Sequence, residues 1–395
     1  FDLRKGVKFH NGKAFGADDV IASMNMHVEE DASSAAKPIV ANVAEMKKLS
    51  DHQVQFILKN GSADFPYLVS DYHICIFPAG QIAEAIANGI GTGPYKVLSF
   101  EPGVRTLATK FEEHWDADNR GYFAEVEGIY IGDASTRLNA LMTSQVDAIN
   151  RVELKSVKLL KNFVNVDILD VTGNQHYTFP MLVGNAPFDN PDFRRALKWA
   201  CNRQEMVDKI LQGYGAVAND HPIGPANQYQ ASDLPQTEYD PDKAAFYMKK
   251  SGLGNVTIDL SVAEAAFTGA GDAGALYQNT AGPAGININI VQEPNDGYWS
   301  NVWLRKPWCA CYWSGRATED WMFSTAYETG KPWNDTFWSN ARFDARLVLA
   351  RSELNEDKRR AMYYEMQEIV SNDGGTVVPF FASYVFARRD NLLHD

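Results

Sequence analysis

Apolar residues recur at helical spacing in several segments that begin with a capping residue. Segment 190–213 starts with Asn-Pro and ends with glycine, and segment 240–252 starts with Asp-Pro and also ends with glycine. An asparagine or aspartate before a proline is typical of a helix N-terminus, and a glycine is typical of its end. A third segment begins at Asn355. We predict one core-facing helix in each segment.

Short runs rich in β-branched and aromatic residues separate these helices and predict strands. They lie at residues 128–131, 146–149, 256–262, 286–291 and 377–381. The stretch 128–150 has the order strand, helix, strand, which predicts a parallel crossover. Strands that alternate with helices in this way predict an α/β fold.

The length and charge of the chain exclude several classes of protein. Its 395 residues exceed the ~250–300 at which single cores stop growing, so we expect two or three lobes with a cleft. No apolar run approaches the ~20 residues of a membrane span. A formal net charge of −13, with scattered Lys and Arg, argues against nucleic acid and weakly favours a cationic or zwitterionic ligand.

Four cysteines in this length do not form a disulfide scaffold. Cys75 and Cys201 lie among apolar residues, and we expect both to be buried. Cys309 and Cys311 lie two apart on an extended segment, where their Cα atoms are near the upper limit for a bridge. We expect free thiols there.

Motifs of nucleotide-binding and hydrolytic enzymes are incomplete in this chain. Residues 269–274 match the dinucleotide pattern G-x-G-x-x-G, but six residues separate them from the preceding strand. The sequence contains no G-x-S-x-G, H-E-x-x-H or Walker-type motif. Glu319 and Asp320 adjoin on a segment that we predict to be extended, so they would point to opposite faces, one exposed and one satisfied. We expect neither an enzyme nor a cofactor or metal.

Aromatic residues are concentrated between positions 298 and 338. They are Tyr298, Trp299, Trp303, Trp308, Tyr312, Trp313, Trp321, Phe323, Tyr327, Trp333 and Trp338. Most aromatic side chains serve a core, and that interpretation stays open for each of them. The same segment carries Arg316, Glu319 and Asp320, and flat apolar walls with a few charges also describe a ligand pocket.

Several spaced blocks resemble the family 5 extracellular solute-binding proteins, the dipeptide, oligopeptide and nickel-binding group of ABC importers. The most distinctive block is FDLRKGVKFHNG at residues 1–12. The others lie at residues 17–20, 91–95, 133–138 with 146–147, 188–190 with 194–197, 239–243 and 313–315. Each block alone is weak, but their order and intervals along the chain make the resemblance specific.

The resemblance implies a two-lobed periplasmic-binding-protein type II fold with an extra inserted domain. It assigns residues 1–90 to the inserted domain, 91–178 with 377–395 to the first lobe, and 179–376 to the second lobe. The family normally has several dozen residues before the position that corresponds to Phe1. We therefore expect the inserted domain and the first lobe to be incomplete at the N-terminal side.

The resemblance also implies a function in transport. The chain would be the periplasmic or extracytoplasmic component of an ABC importer, a monomer that captures a small peptide or similar zwitterion by hinge closure and meets the importer's membrane subunits. A quaternary amine or betaine, an oligosaccharide or a metal chelate on the same scaffold is the alternative. An enzyme of unknown reaction is a distant one.

The segment after Trp313 departs from the dipeptide-binding relatives. They carry a Gly-Asp-Pro-Asp type segment after the Trp-x-Gly turn, whose acid holds the ligand's amino group, whereas this chain has Gly-Arg-Ala-Thr-Glu-Asp at 315–320. Relatives also carry an arginine for the ligand carboxylate where this chain has Glu264. Arg316 is suited to pair with a carboxylate through two hydrogen bonds.

These comparisons of residues predict a ligand site built from aromatic walls and opposed charges. The walls are Tyr298, Trp303, Trp313 and Trp321. Asp320 or Glu264 would face a cationic group of the ligand, and Arg316 an anionic one. The alternative of a quaternary amine, a sugar or a metal chelate is favoured if Glu264 and Asp320 both line the cleft without Arg316.

Overall fold

The computed structural model describes residues 1–30, 32, 34 and 36–393. Contacts within the chain divide it into two compact units, Phe1–Arg137 and Leu138–Asp395. In the described part of the chain, no helix combines the length and apolar character needed to cross a bilayer. The three-domain division expected from the sequence stays a prediction.

The first unit is built from short helices and two antiparallel sheets. Its helices are α1 (Ala17–Asn25), α2 (Lys37–Val40), α3 (Phe65–Leu68) and α4 (Ile82–Asn88). Its strands are β1 (Val43–Ser50), β2 (Gln53–Leu58), β3 (Tyr95–Glu101), β4 (Arg105–Lys110) and β5 (Glu125–Ile129). β1 pairs with β2, and β3, β4 and β5 form a three-stranded sheet.

The core of the first unit lies between α1 and the β1–β2 hairpin. Val20 and Met24 on α1 pack with Val54 on β2, all three buried. Asp19 stabilises the start of α1, because its carboxylate accepts the backbone N–H of Gly16 at 2.9 Å. A carboxylate in the first turn also stabilises the helix through the helix dipole.

The second unit contains longer helices and three sheets. Its helices are α5 (Ala134–Met142, which spans the unit boundary), α6 (Val157–Lys161), α7 (Pro191–Ala200), α8 (Arg203–Lys209), α9 (Pro241–Ser251), α10 (Ala270–Ala281), α11 (Tyr298–Asn301), α12 (Glu319–Ala326), α13 (Ala341–Ser352) and α14 (Glu356–Asp373). Its strands are β6 (Ala148–Ile149), β7 (Val166–Val171), β8 (His176–Pro180), β9 (Gly215–Val217), β10 (Val256–Val262), β11 (Ile286–Gln292), β12 (Cys311–Trp313), β13 (Thr376–Ala382) and β14 (Tyr384–Arg389).

Two antiparallel sheets of the second unit are joined by two neighbouring chain crossings. One sheet has the order β12-β8-β13-β9, and the other has the order β6-β14-β7. Residues 172–175 lead from β7 into β8, and Ser383 leads from β13 into β14. β13 is buried along all 7 of its residues, so it forms the centre of the first sheet.

Local capping explains where the principal helices begin. The Asn190 side chain accepts the N–H groups of the first turn of α7, Asp240 caps α9, and Asn355 caps α14. These three predicted starts are confirmed.

The single helix predicted over 190–213 is wrong, because Cys201 is extended and a second helix, α8, begins after Asn202, which caps it. The Arg203 guanidinium fills the break by donating to the carbonyl oxygens of residues 198, 201 and 237.

Three of the five predicted strands are confirmed closely, whereas those predicted at 128–131 and 146–149 overlap β5 and β6 by two residues each. The observed β10 has the predicted bounds 256–262, and β11 and β13 each differ from the prediction by one residue at one or both ends. β5 and β6 pair antiparallel in different sheets, so the parallel crossover predicted over 128–150 is wrong. Among the described strands, β10 and β11 pair in parallel, and α10 connects them.

The four cysteines are free. Cys201 is buried, as predicted, whereas Cys75 is exposed and the prediction of its burial is wrong. Its thiol donates to the carbonyl oxygen of Tyr72 in a loop of the first unit, so the apolar neighbours in the sequence do not form a core around it. Cys309 and Cys311 are buried thiols.

Two histidines in the second unit are buried in neutral form. Burial lowers the pKa of His176 to about 4 and that of His221 to about 3. In an unfolded chain both pKa values return to about 6.5. The stability that these histidines contribute is therefore full above pH 6.5 and is lost as the pH falls towards 4.

We predict that acidification from pH 7 to pH 5 lowers the free energy of unfolding of the second unit by roughly 2 kcal/mol for each buried histidine. The measurement is urea denaturation followed by tryptophan fluorescence, since Trp115 is the one tryptophan before residue 138. His221→Gln should show a smaller loss between the two pH values than the wild type. An equal loss in both proteins would contradict the assignment.

Candidate ligand-binding site

The segment Cys311–Asp320 folds into a strand, a tight turn and a helix start. β12 pairs with β8, which places Trp313 opposite His176. The chain then turns at Gly315, whose φ of +77° lies in the left-handed region. The Thr318 hydroxyl accepts the backbone N–H of Trp321 and begins α12.

The turn at Gly315 lies against the crossing segments between the two sheets. A Cβ atom built on Gly315 would lie 2.4 Å from Asn174 Cβ, so only glycine fits. The Asn174 amide donates to the carbonyl oxygen of Arg316 at 3.1 Å, and the Tyr384 hydroxyl donates to that of Ser314 at 3.4 Å. The residues before and after Gly315 are therefore held by one side chain from the first crossing and one from the first residue of β14.

Three tryptophans from separate segments pack on one another. Trp303, Trp313 and Trp333 have ring-centroid separations of 6.2 to 6.4 Å, with tilted or edge-to-face planes. Trp299 extends the cluster at 6.0 Å from Trp303. Trp313 is 7% exposed, whereas Trp333 is 50% exposed. Trp299 is 40% exposed, so the cluster is a packed aromatic wall with two rings open to solvent, those of Trp299 and Trp333.

A buried carboxylate lies behind this wall. Asp335 Oδ2 accepts the indole N–H of Trp303 at 3.2 Å and that of Trp313 at 3.3 Å. Asp335 is 5% exposed. Burial raises its pKa to about 6, and the two indole donors oppose that rise.

Arg316 lies beside two indole rings. Its guanidinium carbon is 6.0 Å from the ring centroid of Trp313 and 5.5 Å from that of Trp321. Nη1 donates to the carbonyl oxygen of Gly315 at 2.7 Å. Nη1 also lies 3.4 Å from the hydroxyl oxygen of Ser314, so the contacts of this guanidinium include the turn as well as the two rings.

The two acids at the start of α12 are both buried, which corrects the prediction of an extended segment with one exposed acid. Glu319 accepts the backbone N–H of Tyr229 at 2.7 Å. Asp320 accepts Nε of Arg351 with both oxygens, at 3.1 and 3.2 Å. Arg351 was not predicted, because it lies on α13, 31 residues from Asp320 along the chain.

Two further predicted site residues lie apart from Arg316 in the structure, Tyr298 in the hydrophobic core and Glu264 in the loop before α10. Tyr298 is 1% exposed, and its hydroxyl donates to the carbonyl oxygen of Ala310 at 2.8 Å, so it supports Trp299 from the core. Glu264 is exposed, and its carboxylate accepts the backbone N–H of Gly269 at 3.1 Å.

The glycine-rich segment 269–274 has a structural explanation. Gly269 is the N-cap of α10 with φ +83°, and Glu264 occupies that end of the helix. A Cβ atom on Gly274 would lie 3.1 Å from Ile290 on β11, so this glycine permits close packing of helix on sheet.

The structure brings Trp303, Trp313, Arg316 and Trp321 into one connected surface. Sequence reasoning noted Trp299 and Trp333 only as members of an aromatic-rich segment, and it missed Asp335 and Asn174. The Asn-Asp pair at 334–335 beside two tryptophans was the available signal. Chemically, the arrangement offers flat apolar contact and one cation, which suit a small solute with planar groups and an anionic end.

The family model for bacterial extracellular solute-binding proteins, family 5 Middle, matches residues 1–335. Among curated proteins, the chain is similar to di/tripeptide-binding protein 1 of Pseudomonas aeruginosa. The two are 24% identical over 100% of this chain and 79% of that protein.

Solved structures match at lower identity over the same extent. NikZ from Campylobacter jejuni in complex with Ni(L-His) has a TM-score of 0.86 at 18% identity, covering 100% of this chain and 83% of that one. The periplasmic binding protein DppA from Helicobacter pylori in complex with peptide STSA has a TM-score of 0.82 at 20% identity, covering 100% and 82%. These likenesses confirm the predicted α/β fold class of the two-lobed periplasmic binding proteins.

We predict that Gly315→Ala destabilises the second unit by about 1–3 kcal/mol more than Gly330→Ala does. The two glycines have φ values of +77° and +76°, but no heavy atom lies within 4 Å of a Cβ on Gly330. The control therefore carries the same backbone strain without the collision with Asn174. Urea denaturation measures the difference, and equal losses would show that the turn relaxes freely.

Proposed function

Because the chain belongs to the bacterial extracellular solute-binding proteins of family 5, we propose that it is the extracytoplasmic binding component of an ABC importer. Its proposed ligand is a small peptide or a similar zwitterion. The match over residues 1–335 supports the transport class. The similar proteins support the ligand class, since they include a di/tripeptide-binding protein and a binding protein solved in complex with a peptide.

One observation carries the choice of ligand, the position of Arg316 beside two indole rings. A peptide combines flat amide groups with a terminal carboxylate. The rings of Trp313 and Trp321 suit the flat groups, and the guanidinium suits the carboxylate through paired hydrogen bonds. Micromolar affinity needs about 8 kcal/mol, which one desolvated ion pair with aromatic contact can largely supply.

The cationic end of the ligand has two candidate partners in this proposal. Glu264 is exposed, and only the backbone N–H of Gly269 would be given up. Asp320 is buried against Arg351, so a ligand amine would have to compete with that guanidinium. Breaking a buried pair costs several kcal/mol, so we favour Glu264.

Hinge closure is the proposed mechanism of capture. The proposed lobes are residues 91–178 with 377–395 and residues 179–376, and residues 1–90 form an inserted domain. Two adjacent chain crossings lie within a few residues of these bounds, at residues 172–175 and at Ser383, and a pair of adjacent crossings is a suitable hinge. A solute that contacts both lobes only when they are closed favours the closed state by its differential affinity.

We also propose which partners the protein meets and that it does not catalyse a reaction. The protein would work as a monomer outside the cytoplasm, bind its solute without turnover and present the closed form to the importer's membrane subunits. A quaternary amine on the same wall is the second candidate, favoured by the exposed ring of Trp333. Incubation of bound peptide with the protein, followed by mass spectrometry, should return the peptide uncleaved.

We predict that Arg316→Ala weakens binding of the dipeptide Ala-Phe at least fivefold, because the ligand carboxylate loses its charged partner. Isothermal titration calorimetry gives the affinity. Arg346→Ala on α13 is the control, since it makes the same change of charge where the arginine pairs with Glu365. If Ala-Phe binds the wild type and both variants equally, the carboxylate site lies elsewhere. If glycine betaine binds and no dipeptide does, the second candidate replaces the first.

A further inference from the structure

We propose that Asp335 is a positioning residue that fixes the ring planes of Trp303 and Trp313 and so determines which solutes the aromatic wall accepts. This proposal rests on the binding function proposed above. It concerns a residue that lies behind the wall and is 5% exposed, so its effect on a solute passes through the two rings.

A single oxygen ties the two rings together. Each indole has one N–H donor at one edge, so a hydrogen bond to that donor selects one of the ring's two flipped orientations. Asp335 Oδ2 receives both donors, at 3.2 and 3.3 Å. Rotating either ring would take its N–H away from this carboxylate and leave Oδ2 with one indole donor instead of two, which is costly at a side chain that is 5% exposed.

The tie joins three separate segments of the second unit. Trp303 follows α11, Trp313 ends β12, and Asp335 lies in the loop between α12 and α13. That loop also carries Trp333, whose half-exposed ring packs on both tied rings. The carboxylate therefore holds the inner rings directly and holds the outward ring through the loop.

The ionised carboxylate is the better acceptor for two indole donors, so loss of its charge should loosen the tie. Its neighbours include Cys309, Cys311 and Tyr327, whose pKa values burial raises above their ordinary ranges. These three groups stay neutral between pH 5 and pH 8, whereas Asp335, with a pKa raised by burial to about 6, changes charge there. The indole resonances of Trp303 and Trp313 should therefore titrate together.

The test compares Asp335→Asn and Asp335→Leu with the wild type. Asn keeps the shape and one carbonyl oxygen, and Leu removes both acceptors. The control is Asp373→Asn, because Asp373 Oδ2 accepts the indole N–H of Trp338 at 2.9 Å outside the wall. Indole N–H resonances, assigned by single Trp→Phe variants, are followed from pH 8 to pH 5 without ligand. Affinities for Ala-Ala, Ala-Phe and glycine betaine are measured by calorimetry.

We expect two coupled indole resonances that titrate near pH 6 in the wild type and stop titrating in both Asp335 variants. We expect affinity for the preferred solute to fall about tenfold in Asp335→Leu and less in Asp335→Asn, with preferences among the three solutes reduced. Asp373→Asn should move one other resonance and leave affinities unchanged.

Three results would overturn the proposal. In the first, the resonances of Trp303 and Trp313 titrate independently of each other. In the second, both resonances still titrate near pH 6 in the Asp335 variants. Affinities and preferences could also stay within twofold of the wild type while both resonances shift. If Asp335→Leu does not fold, Asp335→Asn carries the test. If the wild type binds none of the three solutes, the peptide proposal fails, and the ligand-free titration still decides whether Asp335 ties the rings.

Discussion

The full burial of strand Thr376–Ala382 is the constraint on which the second unit depends. All 7 residues are buried, so both faces need cover and both edges need partners. β8 and β9 supply the partners, and β12 extends the sheet beyond β8. Trp313 therefore stands at the end of a strand whose position is set by long-range pairing, and the turn that follows is held on that sheet.

Buried cations fix the helices around this strand. Lys198 donates to the carbonyl oxygens of Val370 and Ser371, at 3.2 and 2.8 Å, near the end of α14. Burial lowers the pKa of Lys198 to about 8, so these acceptors and the helix dipole offset only part of its desolvation. Arg203 pairs with Asp220, which also accepts the backbone N–H of Val378 on β13. The carboxylate of Asp220 thus satisfies a buried cation and a buried backbone N–H at once.

The sequence predicted the features that local chemistry determines. The caps at Asn190, Asp240 and Asn355 and the strand at 256–262 were found because capping residues and β-branched runs act over a few positions. The break at Cys201 was missed, since its compensation comes from Arg203 and the distant residue 237. The crossover over 128–150 failed for a related reason, because alternation in the sequence does not say which strands pair.

The candidate site shows the same limit. The resemblance and the aromatic density led to Trp313, Arg316 and Trp321, which are close in the sequence and in the structure. Residue type alone could not show that Asp320 is paired with Arg351, or that Asp335 receives two indole donors. Partners that arrive from another segment have no local signature.

The contact between Glu264 and Gly269 affects whether the N-terminal end of α10 can bind an anion from solution. The end of a 12-residue helix attracts negative charge, but here a carboxylate of the same chain already lies there. A phosphate arriving from solution would compete with a tethered group whose effective concentration is on the order of millimolar or higher. An amine that draws Glu264 away would, by the same competition, leave that helix end open to a negatively charged solute.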